Sequence, residues 1–225
     1  MRTFQAAIFD FGGVITASPF EAFNRLEATR GLPHDLIRRI NANDPDSNAW
    51  ALLERAEITR AEFDARFAAE AAALGHDVRG ADVLAVIAGV IRPGMVAALD
   101  TIRAAGLKLG CITNNVPGGS GPAMAPNAQA ESRYAAIFAR FDHVIESAKA
   151  GVRKPDPRIY AMMCEALDVT PTACVYLDDL GINCKPAAAM GMAAIKVTNE
   201  AQALKDLSAL LALDLNALNL SGEPR

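Results

Sequence analysis

Histidine is scarce in this 225-residue chain: His34, His76 and His143 are the full set, and they are scattered without metal-ligand spacing. Cysteine offers no metal or redox signature either. Cys111, Cys164, Cys174 and Cys184 form no CxxC pair, and three of them lie in apolar or helical surroundings that suit reduced, buried thiols. No apolar run reaches the roughly 20 residues that a bilayer demands, and the N-terminus shows Arg2 and a short strand-like run instead of a signal-peptide core with a cleavage site. These absences argue against a membrane protein and point to cytoplasmic residence. Positive charge is short as well. Lys and Arg number 22 against 26 acids, a formal net charge of −4, which disfavours extended nucleic-acid or anionic-membrane contacts while allowing a local positive pocket for a small anion. Small molecules are the expected partners. The apolar stretch Leu207 to Leu220 reads as a last helix with a frayed end or as a dimer contact, so monomer and homodimer both stand.

What the chain does have is apolar residues, 52% of the total, enough for one domain with a sizeable core plus an insertion. Short apolar runs predict strands at Phe4–Asp10, Lys108–Thr113, Asp142–Glu146, Ala173–Asp178 and Ala193–Val197. Helices are expected between them at Met95–Ala105, Ser132–Phe138, Pro157–Leu167, Leu180–Met190 and Glu200–Leu211. Asp156 before Pro157 makes a helix start, and Gly106 and Gly191 supply stops. This alternation implies an α/β fold with a parallel sheet covered on both faces.

One interruption breaks the pattern. Residues 17–92 hold no convincing strand but several amphipathic stretches, Phe20–Thr29, Asp35–Asn41, Ala49–Arg55 and Arg60–Ala73, which read as a helical insertion. The expected organisation is therefore a core of 1–16 and 93–225 carrying an inserted helical domain, 17–92. A second irregularity, Val116–Gln129, reads as a surface loop. Its Gly118-Gly119-Ser120-Gly121 lacks the lysine and the strand-loop-helix setting of a phosphate-cradling P-loop.

The chemistry gathers at strand ends. Asp10 closes an apolar strand and precedes Gly12-Gly13, a place where a reactive carboxylate meets room for a ligand against the backbone. Leu109-Gly110-Cys111-Ile112 runs into Thr113-Asn114-Asn115, and Cys174-Val175-Tyr176-Leu177 runs into Asp178-Asp179. Arg153-Lys154-Pro155-Asp156 lies between them. In a parallel sheet these acids, a hydroxyl and a lysine converge on one edge. Asp178-Asp179 also suits a helix N-cap, which is compatible with a second role. Phe20 and Trp50 fit either an entrance lining or, more simply, a helical core.

Phe9-Asp10-Phe11-Gly12-Gly13-Val14, Ile112-Thr113-Asn114-Asn115, Lys154-Pro155-Asp156 and Leu177-Asp178-Asp179 resemble the four ordered motifs of the haloacid dehalogenase-like (HAD) hydrolase superfamily. The stretch from Arg92 to Val197 is similar to the phosphatase-like domain of soluble epoxide hydrolases and still more to the HAD domain that opens some acyl-CoA dehydrogenase family members. The resemblance implies a Rossmann-like three-layer core with a helical cap, and phosphatase activity on a small phosphorylated metabolite. It makes Asp10 a nucleophile that forms an aspartyl-phosphate. It implies magnesium held by Asp10, the Gly12 carbonyl and a carboxylate of the Asp178–Asp179 pair, Asp179 being the more direct ligand. Thr113 and Asn114 would bind phosphoryl oxygens, and Lys154 would offset the charge on Asp10 and phosphate. Asn183 would support the acids from one turn along the helix.

Gly12 departs from the family pattern, which commonly has an aspartate there to protonate the leaving oxygen and then activate water. Three accounts stay open: a cap carboxylate such as Glu54 or Glu57 replaces it, the substrate carries a good leaving group such as an anomeric or acyl phosphate, or the protein binds a ligand or partner with catalysis reduced or lost. Dehalogenases of the superfamily also lack that acid, but they need no metal and would leave the Asp178–Asp179 pair without a purpose.

Overall fold

The computed structural model describes residues 3–115 and 128–218. Five short strands, β1 (Ala6–Phe9), β2 (Lys108–Thr113), β3 (His143–Glu146), β4 (Cys174–Asp178) and β5 (Ala193–Lys196), pair in parallel in the order β3-β2-β1-β4-β5. All four residues of β1 are buried, because a central parallel strand has both faces covered. Its side chains alternate between two cores. Ala7 and Phe9 join Met95, Leu99, Leu109 and Leu204 on one face, whereas Ala6 and Ile8 join Ile159, Tyr160, Met163 and Tyr176 on the other.

Helices α6 (Pro93–Ala104) and α11 (Glu200–Leu211) supply the first face, and α9 (Pro157–Ala166) and α10 (Gly181–Ala189) the second. The result is a three-layer α/β sandwich. The chain steps outward from β1 through β2 to β3, then returns to lay β4 against the other side of β1. That reversal opens a crevice at the carboxyl ends of β1 and β4, the place where such sheets bind ligands.

Between β1 and α6 lie five helices: α1 (Pro19–Arg30), α2 (Leu36–Ala42), α3 (Ala49–Glu54), α4 (Arg60–Ala73) and α5 (Gly80–Ala85). They enclose a hydrophobic cluster of their own, built on Phe23, Leu36, Ile40, Leu53, Phe63 and Phe67. Trp50 and Phe20 pack against it, Trp50 edge-on between Phe23 and Phe63, so both belong to this cluster. Thr59 and Glu62 form a reciprocal capping box at the start of α4. The neck that joins these helices to the sheet is a short antiparallel ribbon, with Ala17 N bonded to Val90 O at 2.7 Å and Arg92 N to Ile15 O at 2.9 Å.

Several boundaries differ from the sequence reading. Strand β1 is shorter than Phe4–Asp10, running from Ala6 to Phe9, although the Asp10 amide still bonds Leu177 O of β4. Helix α5 was not anticipated because it begins on a glycine. A Cβ at Gly80 would lie 2.8 Å from the Phe63 ring, so here glycine permits close helix packing where it normally signals a break. The single turn α8 (Ser147–Ala150) is too short to show a period. α7 (Ala128–Phe138) begins four residues before the expected start at Ser132; the remainder of the Val116–Gln129 reading, with Gly118–Gly121, falls outside the described residues. Asp156 caps α9 through the Arg158 amide with Pro157 in the first turn, as the sequence implied. No helix among the described residues is long and apolar enough to cross a membrane.

Candidate active site

Asp10 stands one residue past β1, its amide bonded to Leu177 O at 2.8 Å on β4. Its Oδ1 accepts from the Phe11 amide at 2.6 Å and from Lys154 Nζ at 2.8 Å, while Oδ2 receives no donor among the described residues. Lys154 follows α8 and is only 1% exposed. Its remaining two protons go to Asp178 Oδ2 and to Ile112 O at the end of β2, each at 2.9 Å. One ammonium thus joins the ends of β1, β2 and β4.

Asp178 is fully buried and saturated with donors. Besides Lys154 it accepts from Tyr176 Oη at 2.6 Å, from Asn183 Nδ2 at 3.0 and 3.1 Å, and from the Leu180 amide at 2.8 Å. The acid pair does not cap α10 as the sequence suggested: that helix starts after Leu180 with no side-chain cap bond, and the Asp178 contact to the Leu180 amide precedes its first turn. Asp179 is engaged far less. Ser18 Oγ donates to its Oδ2 at 2.7 Å, and Gly13 lies so close that a Cβ there would fall 2.2 Å from the same oxygen. With a φ of +78°, Gly13 is a position only glycine fills comfortably. Arg92, at the base of the neck, donates to the Gly13 carbonyl at 2.6 Å and fixes this turn.

Electrostatics follow from crowding. Burial pushes Asp10 well above the usual carboxylate range, Asp178 and Asp179 add to the push, and Lys154 opposes it. Asp179 is raised to about 6 by burial and by Asp178, with Ser18, Lys154 and Arg92 pulling back. Lys154 pays a burial penalty as a cation, yet Asp10 and Asp178 outweigh it and hold the amine above its ordinary value. Three carboxylates facing one ammonium leave a surplus of negative charge.

Ligand atoms of Asp10, Asp178 and Asp179 lie within 4.8 Å of one another, and all are hard oxygens. A divalent cation of the magnesium type suits such a donor set, which takes carboxylate and carbonyl oxygens plus water. The saturation of Asp178 leaves Asp10 and Asp179 as the carboxylates with free coordination capacity. Gly12, whose carbonyl was the other expected ligand, adjoins them in the same turn; a Cβ built on it meets nothing nearer than Pro19 Cδ at 4.0 Å.

Thr113 ends β2 and is buried beside Asn114. Asn114, expected with Thr113 to bind phosphoryl oxygens, has its side chain engaged with the Lys154 segment. Its Oδ1 accepts from the Lys154 amide at 2.9 Å, and its Nδ2 donates to Lys154 O at 3.1 Å and to Glu54 Oε2 at 3.4 Å. The side chain therefore pins the lysine loop. Asn115 is structural, tying Glu146, Ser147 and Ala148 to the end of β2.

Glu54 ends α3 and reaches the same rim. It accepts from Arg153 Nε at 2.6 Å and Trp50 Nε1 at 2.9 Å, and its own carbonyl accepts from Ser147 Oγ at 2.7 Å. Burial raises its carboxyl above the ordinary value while Arg153 and Trp50 draw it back. Glu57 faces solvent and is gripped by Arg55 at 2.6 and 3.0 Å. Tyr176, Ser18 and Arg92 escaped the sequence reading. Only Tyr176 carried a signal there, lying two residues before Asp178 and hence on the same side of a strand.

A family model described as haloacid dehalogenase-like hydrolase matches residues 4–191. Mouse acyl-CoA dehydrogenase family member 10 is 34% identical over 220 residues, 96% of this chain but 20% of that protein. Pig bifunctional epoxide hydrolase 2 is 28% identical across 94% of this chain and 39% of its own length. The chain thus spans well under half of either relative. Phosphatase MT3486 of Mycobacterium tuberculosis matches end to end, 31% identical over 93% of this chain and 96% of that one. A HAD family enzyme of Bacteroides thetaiotaomicron, solved with magnesium and inorganic phosphate, shares the fold at a TM-score of 0.56 and 17% identity, covering 87% of this chain and 96% of its own.

Proposed function

The chain belongs to the haloacid dehalogenase-like hydrolase family, and on that premise we propose that it is a magnesium-dependent phosphohydrolase acting on a small phosphorylated substrate through Asp10. The observation that carries the proposal is the buried Lys154 bridge between Asp10 and Asp178, with Asp179 left accessible beside it. The name of the full-length relative, a phosphatase, and the magnesium and phosphate in the B. thetaiotaomicron enzyme agree with it.

In this reading Asp10 attacks phosphorus, the bond from phosphorus to the leaving oxygen breaks, and water then cleaves the aspartyl-phosphate to return Asp10 and free phosphate. Lys154 and the Phe11 amide hold Oδ1, so the nucleophile is oriented before the substrate arrives. Lys154 also balances charge where a carboxylate must approach a phosphate dianion. Thr113 contributes a hydroxyl to the phosphoryl oxygens, and Asn114 keeps Lys154 in place from behind. Asp178, through Tyr176 and Asn183, orients the lysine. Asp10, Asp179 and the Gly12 carbonyl would hold the magnesium, which when bound offsets the acids and draws charge from the phosphoryl group. Residues 17–92 act as the cap that closes over the crevice and excludes water.

The missing side chain at Gly12 favours one second reading, a binding or regulatory domain with weakened catalysis. Phosphate release from a panel of phosphate esters, sugar 1-phosphates and acyl phosphates, with and without magnesium, separates the two. Magnesium-dependent release that vanishes in Asp10→Asn supports the enzyme; equal silence of both proteins supports the binding domain.

A further inference from the structure

Resting on the phosphohydrolase reading, we infer that the substrates are activated phosphates, acyl phosphates or phosphoanhydrides, whose leaving group departs as a stable anion, and not ordinary alkyl phosphate monoesters. The ground is a census of protons around Asp10. When the phosphorus–oxygen bond breaks, the leaving oxygen takes the electron pair. An alkoxide is roughly as basic as hydroxide, far more basic than any group at this site, and needs a proton in the transition state. A carboxylate, with a conjugate acid near pH 4, needs none.

Among the described residues no side chain occupies the place of the acid missing at Gly12. Gly12 has no side chain, and no neighbour fills the space, Pro19 Cδ at 4.0 Å being the nearest atom to a Cβ built there. All three Lys154 protons point at Asp10, Asp178 and Ile112 O. Tyr176 gives its proton to Asp178, and Tyr160 gives its own to Asn183 O, both within the core. Glu54 is already engaged as an acceptor by three N–H donors, from Trp50, Arg153 and Asn114. Glu57 is turned to solvent on Arg55.

Ser18 donates to Asp179, and it and Thr113 are aliphatic alcohols, no stronger as acids than the alcohol they would have to release. His34 pairs with Asp35 on the outside of the helical insertion, and His143 opens β3, at the end of the strand remote from the crevice. Residues 116–127 contain no acidic, basic, histidine, cysteine or tyrosine residue by sequence. The chain therefore has to leave the departing oxygen to stabilise itself.

The test compares acetyl phosphate, p-nitrophenyl phosphate and glycerol 3-phosphate as substrates for the magnesium-loaded wild type, Gly12→Asp, Glu54→Gln and Asp10→Asn. The expected result is a steep wild-type dependence on leaving-group basicity, with kcat/KM for acetyl phosphate at least ~10²-fold above that for glycerol 3-phosphate. Gly12→Asp, whose new side chain enters open space, should raise glycerol 3-phosphate turnover relative to acetyl phosphate turnover by ~10²–10⁴-fold, the range of general acid catalysis. Should that variant not fold, the wild-type slope decides alone. A flat wild-type slope with an inactive Asp10→Asn overturns the inference and keeps the phosphohydrolase. A flat slope that Glu54→Gln steepens overturns it by identifying Glu54 as the acid. Silence of the wild type on all three, acetyl phosphate included, removes the phosphohydrolase reading itself.

Discussion

Replacing Lys154 by methionine keeps the length of the side chain and removes its charge from a site where two carboxylates depend on it. The ammonium is 1% exposed and lies 2.8 Å from Asp10 and 2.9 Å from Asp178, which are themselves 8% and 0% exposed. Removing one partner from a buried ion pair costs about 3–5 kcal/mol, because the other is left as an unpaired buried charge. With a urea m-value of about 2 kcal/mol/M for a domain of this kind, the midpoint should fall by ~1.5–2.5 M. Such unfolding curves should be run in EDTA at several pH values.

The pH dependence has a definite sign. Asp10 is already raised in the folded chain, and Lys154 is the group that holds it down. In the mutant it rises further, so the folded state binds more protons than the unfolded one over a wider range. The penalty is therefore smallest below pH 4, where the carboxylate becomes protonated in both states, and grows toward pH 7. Lys154 itself, raised in the folded protein, keeps its stabilising contribution throughout this window and would lose it only above the ordinary lysine range. The gap between wild type and mutant should thus widen from pH 4 to 7. A gap under 1 kcal/mol at pH 7, or one that narrows as pH rises, refutes the charge bridge as the organiser of this site.

Three other predictions follow from the same contacts. Asp10→Asn should lower phosphate release by more than ~10³-fold yet leave the melting temperature at pH 7 unchanged or higher, because the folded chain disfavours this charge. Tyr176→Phe deletes the 2.6 Å donor to buried Asp178 and should cost about 1.5–3 kcal/mol in chemical denaturation, the range for a hydrogen bond to a charged group. Finally, Asp179 at about 6 against 3.8 means that the metal-free protein should lose up to about 3 kcal/mol between pH 4 and 7 from this group. Magnesium at pH 7 should restore that stability in a thermal shift, and a protein indifferent to magnesium would contradict the assigned acids.

Most of the framework was legible because it rests on local pattern. Apolar runs ending in Asp10, Thr113 and Asp178 marked the carboxyl edge of a parallel sheet, and β1, β2 and β4 bring those ends together. The Asp156-Pro157 start located α9, and the apolar pattern placed α11 at Glu200–Leu211. What stayed hidden depends on partners far away in the chain. Ser18 bonds Asp179 across 161 residues, and Arg92 bonds Gly13 across 79. Asn114 next to a threonine at a strand end invited a ligand-facing role. Its side-chain amide also matches the backbone of Lys154, 40 residues on, a pairing that only the fold creates.

The place where helix α1 starts shows how the site takes precedence over its surroundings. Ser18 occupies the N-cap position, where a serine ordinarily accepts from the amides of the first turn, yet no such bond forms. Its hydroxyl donates to Asp179 instead. The helix thereby forgoes about 1 kcal/mol of capping, and Pro19 at its first position lessens the loss by removing one amide that would otherwise lack a partner. At the other rim Glu54, the last residue of α3, is fastened to Arg153, and Arg153 reaches on to Pro45 O at 2.9 Å. The helical insertion is therefore tied to the sheet through residues that adjoin Asp179 on one side and Lys154 on the other. A shift of these helices would disturb the acids and the lysine together.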